Sequence, residues 1–236
     1  MDGAVSWARA YFAESCPEGP AVVGISGGKD SSIVAALCAR ALGAGRVFGL
    51  LMPQGEQWDI DVARDLVAHL GIRSAELNIG ESAEALFSAL RQAGLGPCAQ
   101  ALVNTPARLR MAALYAAAAA LGGRVANTCN LSEAWVGYST KFGDTAGDFS
   151  LLSGFTATEA KAVGRELGLP ERFVCKAPED GLSGMTDEES LGFSYGALDR
   201  YIRGGGCGDE RVREKIDGLR RLGMHKLEPM PRYSWG

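Results

Sequence analysis

The first two-thirds of the chain alternates short apolar runs with stretches whose apolar residues recur at helical spacing. Trp7, Ala8, Tyr11 and Phe12 fall on one side of a first helix, as residues three and four apart do. After the loop Pro17-Glu18-Gly19-Pro20, Ala21 to Ile25 reads as a buried strand and Ser31 to Leu42 as a helix. The unit repeats: Val47 to Met52 as strand, Trp58 to Leu70 as helix, Ala75 to Ile79 as strand and Glu81 to Ala93 as helix. A long helix from about Asn104 to Leu121 and a strand at Arg124 to Asn127 follow. Strands and helices alternating at this spacing predict an α/β fold, an open parallel sheet with helices on both faces. The run Met111 to Leu121 is apolar nearly all round. It is well short of the ~18 residues of a membrane span, so it predicts a buried helix, covered by the core or by a partner chain.

Beyond about Tyr138 the pattern changes. Gly, Asp, Ser and Thr are frequent, strands are expected to cease, and short helices such as Thr158 to Leu167 and Asp209 to Arg221 take over. No internal repeat and no Pro- or Ser-rich linker divides the chain. A single domain over residues 1–236 is therefore expected, its loop-rich last third packed over the carboxyl ends of the strands, where open sheets bind ligands.

Composition narrows the function classes. With 47% hydrophobic and 22% charged residues the chain can bury a large core. Its 24 Lys and Arg against 28 Asp and Glu give a net charge of −4, which argues against a broad footprint for nucleic acid or an anionic membrane. A local basic pocket for a small anion stays open. The six cysteines form no C-x-x-C pair, and only His69 and His225 could join them, so zinc is not expected and reduced thiols in the cytoplasm are. Asp2, Arg9 and Glu14 interrupt what would have to be the apolar part of a signal peptide, so no export signal is expected.

The chemistry concentrates after the first strand. Gly24-Ile25-Ser26-Gly27-Gly28-Lys29-Asp30-Ser31-Ser32 leaves a strand and opens a helix, where unpaired amide N–H groups and the helix dipole favour an anion. Glycines allow close backbone approach, the serines add hydroxyls and Lys29 adds a cation, a set suited to a polyphosphate. The bland alternative is a tight turn with a serine cap. A Walker loop is excluded, because Gly24 stands four positions before Gly28-Lys29 and Asp30 follows the lysine. The dinucleotide fingerprint G-x-G-x-x-G does not fit either.

The S-G-G-x-D-S loop resembles the PP-loop of ATP pyrophosphatases, the adenine nucleotide α-hydrolase-like enzymes that cleave ATP to AMP and pyrophosphate. Further blocks resemble NAD synthetase: Met52-Pro53; Asn104 with Arg108 and Arg110; Asn127-Thr128-Cys129-Asn130-Leu131-Ser132-Glu133; Gly137 to Asp144 with Asp148; Lys176-Ala177-Pro178; Thr186-Asp187-Glu188; Leu191-Gly192; and His225-Lys226. The resemblance implies amidation of deamido-NAD (nicotinate adenine dinucleotide) through an adenylated intermediate. It assigns Gly24, Ile25, Ser26, Gly27, Gly28, Lys29, Asp30, Ser31 and Thr128 to ATP, and Asp30 with Glu133 to Mg²⁺. Arg108, Lys141, Asp148, His225 and Lys226 match the family's deamido-NAD contacts. It also implies a homodimer. Some members carry a glutaminase domain; with motifs beginning at residue 24 there is no room for one, so ammonia is expected as the donor.

The chain departs from the family at three places. Ala157 stands where a lysine commonly contacts ATP, Glu179 where a small hydroxyl residue does, and the proline expected near Leu151 is missing. Lys29 is the expected replacement charge, acting with Asp30 in catalysis. These departures keep two other readings open, another PP-loop amide synthetase and a nucleotide-binding protein without turnover.

Overall fold

The structure is a computed structural model and describes residues 1–175 and 186–235. In chain order it contains α1 (Asp2–Ser15), β1 (Ala21–Gly24), α2 (Lys29–Leu42), β2 (Val47–Leu51), α3 (Ile60–Leu70), β3 (Arg73–Glu76), α4 (Gly80–Gln92), α5 (Ala99–Leu121) and β4 (Arg124–Asn127). After these come α6 (Leu131–Trp135), β5 (Phe149–Ser150), α7 (Ala157–Glu166), α8 (Glu171–Val174), α9 (Asp187–Leu191), α10 (Tyr195–Ile202) and α11 (Glu210–Gly223).

Among the described residues five strands form one sheet in the order β3-β2-β1-β4-β5, and every neighbouring pair is parallel. Alternation sorts the side chains between two layers. Ala21, Val23, Val47 and Leu51 enter a core shared with Phe12 of α1, Ile33 and Leu37 of α2, and Leu66 of α3. Val22 and Leu50 face the other way, toward Leu114 and Ala117 of α5. The expected helices on both faces are thus present.

Three features depart from the sequence reading. β3 is displaced from 75–79 to Arg73–Glu76, because it is an exposed edge strand while the apolar Ile79 is buried just before α4. α5 begins at Ala99, five residues before Asn104, and carries Pro106 inside. A short fifth strand follows residue 138, where none was expected. The run 111–121 is not buried all round in the single chain: Ala118 is covered, whereas Ala112, Ala116, Ala119 and Ala120 are exposed. No helix among the described residues is long and apolar enough to cross a membrane.

The strand order turns back between β1 and β4, and the carboxyl ends of strands at such a switch point are where open sheets bind ligands. Residues 25–28 and 128–130 are the loops that leave those two ends. The last third has a smaller core of its own, with Val136, Leu191, Phe193, Tyr195, Leu198 and Ile216 buried together, and α10 packs on α6 and α7.

Candidate active site

The glycine loop is fixed by its own chemistry. Gly27 has φ +77°, and a Cβ there would lie 3.2 Å from the Ala63 nitrogen of α3, so a side chain would meet both backbone strain and a close neighbour. Ser26 and Ser31 place their hydroxyls 3.1 Å apart, Ser26 Oγ accepts from Gly28 N–H at 3.2 Å, and Ser31 and Ser32 donate to the Gly28 carbonyl at 3.1 and 2.8 Å. These hydroxyls close the turn on itself. The opening of α2 behind it leaves amide N–H groups without intrahelical partners, the feature that suits an anion.

On the β4 side, Asn130 caps α6. Its Oδ1 accepts from Ser132 and Glu133 N–H at 3.0 and 3.1 Å, while Glu133 Oε2 accepts from Asn130 N–H at 3.3 Å. This reciprocal capping box holds the Glu133 side chain against the loop after β4. Asn130 Nδ2 also donates to Asp30 Oδ1 at 3.2 Å, joining the two loops across the switch point. Lys29 completes the junction: its ammonium lies 2.5 Å from Asp30 Oδ2 and 3.6 Å from Glu133 Oε1. The two carboxylates, far apart in the chain, therefore meet on one cation.

Burial sets the electrostatics. The Lys29 side chain is only 2% exposed. Burial works against its charge, but Asp30 and then Glu133 outweigh it and hold the lysine above its usual range. Burial raises Glu133, Asp30 raises it further, and Lys29 opposes both. Tyr195 lies beneath, with its ring centre 5.6 Å from the ammonium and its hydroxyl donating to Asp187 Oδ2 at 3.2 Å. Burial likewise raises Asp187.

The residues assigned to the dinucleotide divide. Arg108 Nε donates to the Lys141 carbonyl at 3.2 Å, and Lys141 Nζ donates to the His225 carbonyl at 2.6 Å. Lys226 Nζ donates to the Gly137 and Ser139 carbonyls at 2.7 and 2.8 Å. Four of the five are thereby brought together. The carboxyl end of α11 reaches them by backbone contact, since a Cβ on Gly223 would lie 2.6 Å from Gly137 Cα. Asp148 stands apart from that chain of contacts: Oδ2 accepts from Val125 N–H at 2.8 Å and Oδ1 from Tyr115 hydroxyl at 3.4 Å. It still lines a cavity of about 280 Å³ with Asn127, Cys129, Ser139, Ser150 and Leu227. Thr128 is half-buried in the segment leaving β4. Cys129 is half-buried, and desolvation pushes its thiol well up, the opposite of the lowered value an activated nucleophile needs.

Ala157 is fully buried at the start of α7, where its N–H donates to Ser132 Oγ at 2.9 Å. Glu179 and the Lys176-Ala177-Pro178 block lie outside the described residues. The sequence reading passed over Asn130, Ser132, Asp199 and Tyr195 as individuals. Ser132 and Asp199 are both buried; Ser132 Oγ donates to Asp199 Oδ1 at 2.5 Å, and Thr158 donates to Oδ2 through its N–H and hydroxyl at 2.8 and 2.6 Å. The N-x-x-E spacing of Asn130 and Glu133 is a capping signature and was readable. Tyr195 and Asp199 join the site by tertiary packing alone.

The family described as NAD synthase matches residues 2–228. The NH(3)-dependent NAD(+) synthetase of Pyrococcus furiosus is 40% identical over 193 residues, 81% of this chain and 74% of that one. The solved structure of an NMN synthetase from Francisella tularensis superposes with TM-score 0.89 at 28% identity, covering 99% of this chain and 98% of the other. An NH3-dependent NAD synthetase from Campylobacter jejuni, in complex with nitrate, gives TM-score 0.79 at 28% identity over 99% and 96%.

Proposed function

From the premise that the chain belongs to the NAD synthase family, we propose that it is an ammonia-dependent NAD synthetase that amidates deamido-NAD at the expense of ATP. A carboxylate resists ammonia because its carbonyl is electron-rich and oxide is a poor leaving group. Transfer of AMP removes both obstacles. The nicotinate carboxylate attacks the α-phosphorus and pyrophosphate departs; ammonia then adds to the acyl carbon of the mixed anhydride, loses a proton and expels AMP. Catalysis of this kind rests on positioning and on matching phosphate charge.

In this reading Gly24 to Ser31 hold the triphosphate with main-chain amides, and Thr128 holds the nucleotide from the β4 side. Asp30 and Glu133 are the residues for Mg²⁺, whose oxygen preference suits two carboxylates. Their fit is supported by Lys29: both acids already reach a single cation. When bound, the ion would neutralise phosphate oxygens and ease pyrophosphate departure. Arg108, Lys141, His225 and Lys226 form the dinucleotide side of the site, with Asp148 accepting from ligand hydroxyls. A second copy covering the exposed alanines of α5 makes a homodimer. Six free thiols support a reducing compartment, the cytoplasm. The meeting of Asp30 with Glu133 carries the reading.

The likeness to the Francisella NMN synthetase favours one second reading, amidation of nicotinate mononucleotide. Purified protein given ATP, Mg²⁺ and ammonium with either acid separates them. NAD, AMP and pyrophosphate in equal amounts from deamido-NAD are expected; preferential turnover of the mononucleotide moves the assignment to the second reading. Nucleotide binding with no pyrophosphate from either acid would overturn both and leave a binding protein.

A further inference from the structure

Every oxygen of the Asp30–Glu133 pair faces a donor supplied by the chain itself. Asn130 holds Asp30 Oδ1 through Nδ2 and Glu133 Oε2 through its main-chain N–H. The two remaining oxygens, Asp30 Oδ2 and Glu133 Oε1, both face the Lys29 ammonium. A divalent ion held by this pair would have to compete with that ammonium for the same carboxylates. The two cations exclude each other by charge.

We infer that Lys29 is an internal counter-cation that closes the Asp30–Glu133 pair to a free divalent ion and yields its place only when nucleotide phosphates give its ammonium new oxygen partners. The inference rests on reading Asp30 and Glu133 as the metal-facing pair. Lys29 is the first residue of α2, so its side chain starts at the helix opening where the phosphates would lie. Leaving the carboxylates without new partners would strand a buried charge, which is strongly unfavourable. Among the described residues around it, Tyr195 offers a ring face, and the one further carboxylate that acts on the ammonium, Asp187, already accepts from the Tyr195 hydroxyl. A polyphosphate supplies anionic oxygens in the right place. The order that follows is metal entering with nucleotide, not before it. Lys29 also holds the two loops together while no ligand is bound, which keeps two like charges side by side at the switch point.

The test is Mn²⁺ binding followed by electron paramagnetic resonance on the full chain, first without nucleotide. Lys29→Met and Lys29→Gln are expected to bind Mn²⁺ roughly tenfold or more tightly than the parent protein, a gain of one decade corresponding to the removed ion pair. Adding Glu133→Gln to either variant removes the gain. Circular dichroism verifies that the variants fold, and the glutamine form retains a polar head should methionine disturb the loop. The parent chain gains Mn²⁺ affinity when α,β-methylene ATP is added. Equal nucleotide-free affinities for parent and both variants overturn the inference. Two failures are distinguishable: if Glu133→Gln leaves Mn²⁺ binding to the nucleotide-loaded parent unchanged, the metal-facing reading falls as well; if it abolishes that binding while the variants show no gain, only the role of Lys29 falls.

Discussion

The two halves of the site handle charge in opposite ways. At the carboxyl edge of the sheet between β1 and β4, Lys29 is buried and is matched by Asp30 and Glu133, with Asn130 holding both acids. On the dinucleotide side, Lys141 and Lys226 rest on main-chain carbonyls, and His225 is exposed. A buried charge needs a charged partner, because desolvation is costly. A cation near solvent can exchange a carbonyl for a phosphate or carboxylate at little cost. The edge is thus organised before ligand arrives, and the dinucleotide side is held in place by contacts a ligand can replace.

The sharpest way to break this contrast is at the edge. Asp30→Asn is expected to slow pyrophosphate release about 10³-fold with the fold intact, the scale of losing one preorganised charge contact; a loss under about tenfold would place the edge outside the chemistry. Ser132→Ala probes its support. It leaves buried Asp199 short of a donor, and urea unfolding should register a loss of about 1–3 kcal/mol. Gly223→Ala probes the other half, because the added methyl drives α11 away from Gly137. The KM for deamido-NAD should rise by about tenfold while that for ATP stays unchanged, as for loss of uniform substrate binding. Equal changes in both would erase the distinction between the halves. The smallest effect is expected at Ala116→Lys, on the exposed flank of α5. Monomer stability should change by no more than ~0.5 kcal/mol, as for surface substitutions, whereas sedimentation should show the variant as a monomer where the proposed dimer is expected for the parent chain.

Legibility in the sequence followed the same division. β1, β2 and β4 lie inside the sheet, and their apolar runs announced them. β3 lies at the edge with its four residues exposed, so the apolar residues after it drew the predicted strand downstream. β5 has two residues, too few for any period to show. The glycine loop stood out because its residue types suit a phosphate, whereas the pairing of Asp30 with Glu133 was given only by the resemblance. The bonds of Lys29 to both acids were not, since a lysine beside an aspartate in sequence carries no information about a glutamate that arrives from β4. Arg108, Lys141, His225 and Lys226 were readable only through resemblance, as isolated surface charges have no pattern of their own. Ala157 reads as a missing cation, yet its burial shows that the start of α7 is packed into the smaller core, where a longer side chain would need new space.

The most direct measurement is a double-mutant cycle on ATP-dependent pyrophosphate release, using Asp30→Asn, Glu133→Gln and the pair together. If the two acids serve one ion, either change removes the shared function, and the double variant should be scarcely slower than the worse single one. Losses that multiply would show two acids acting independently and would contradict the account.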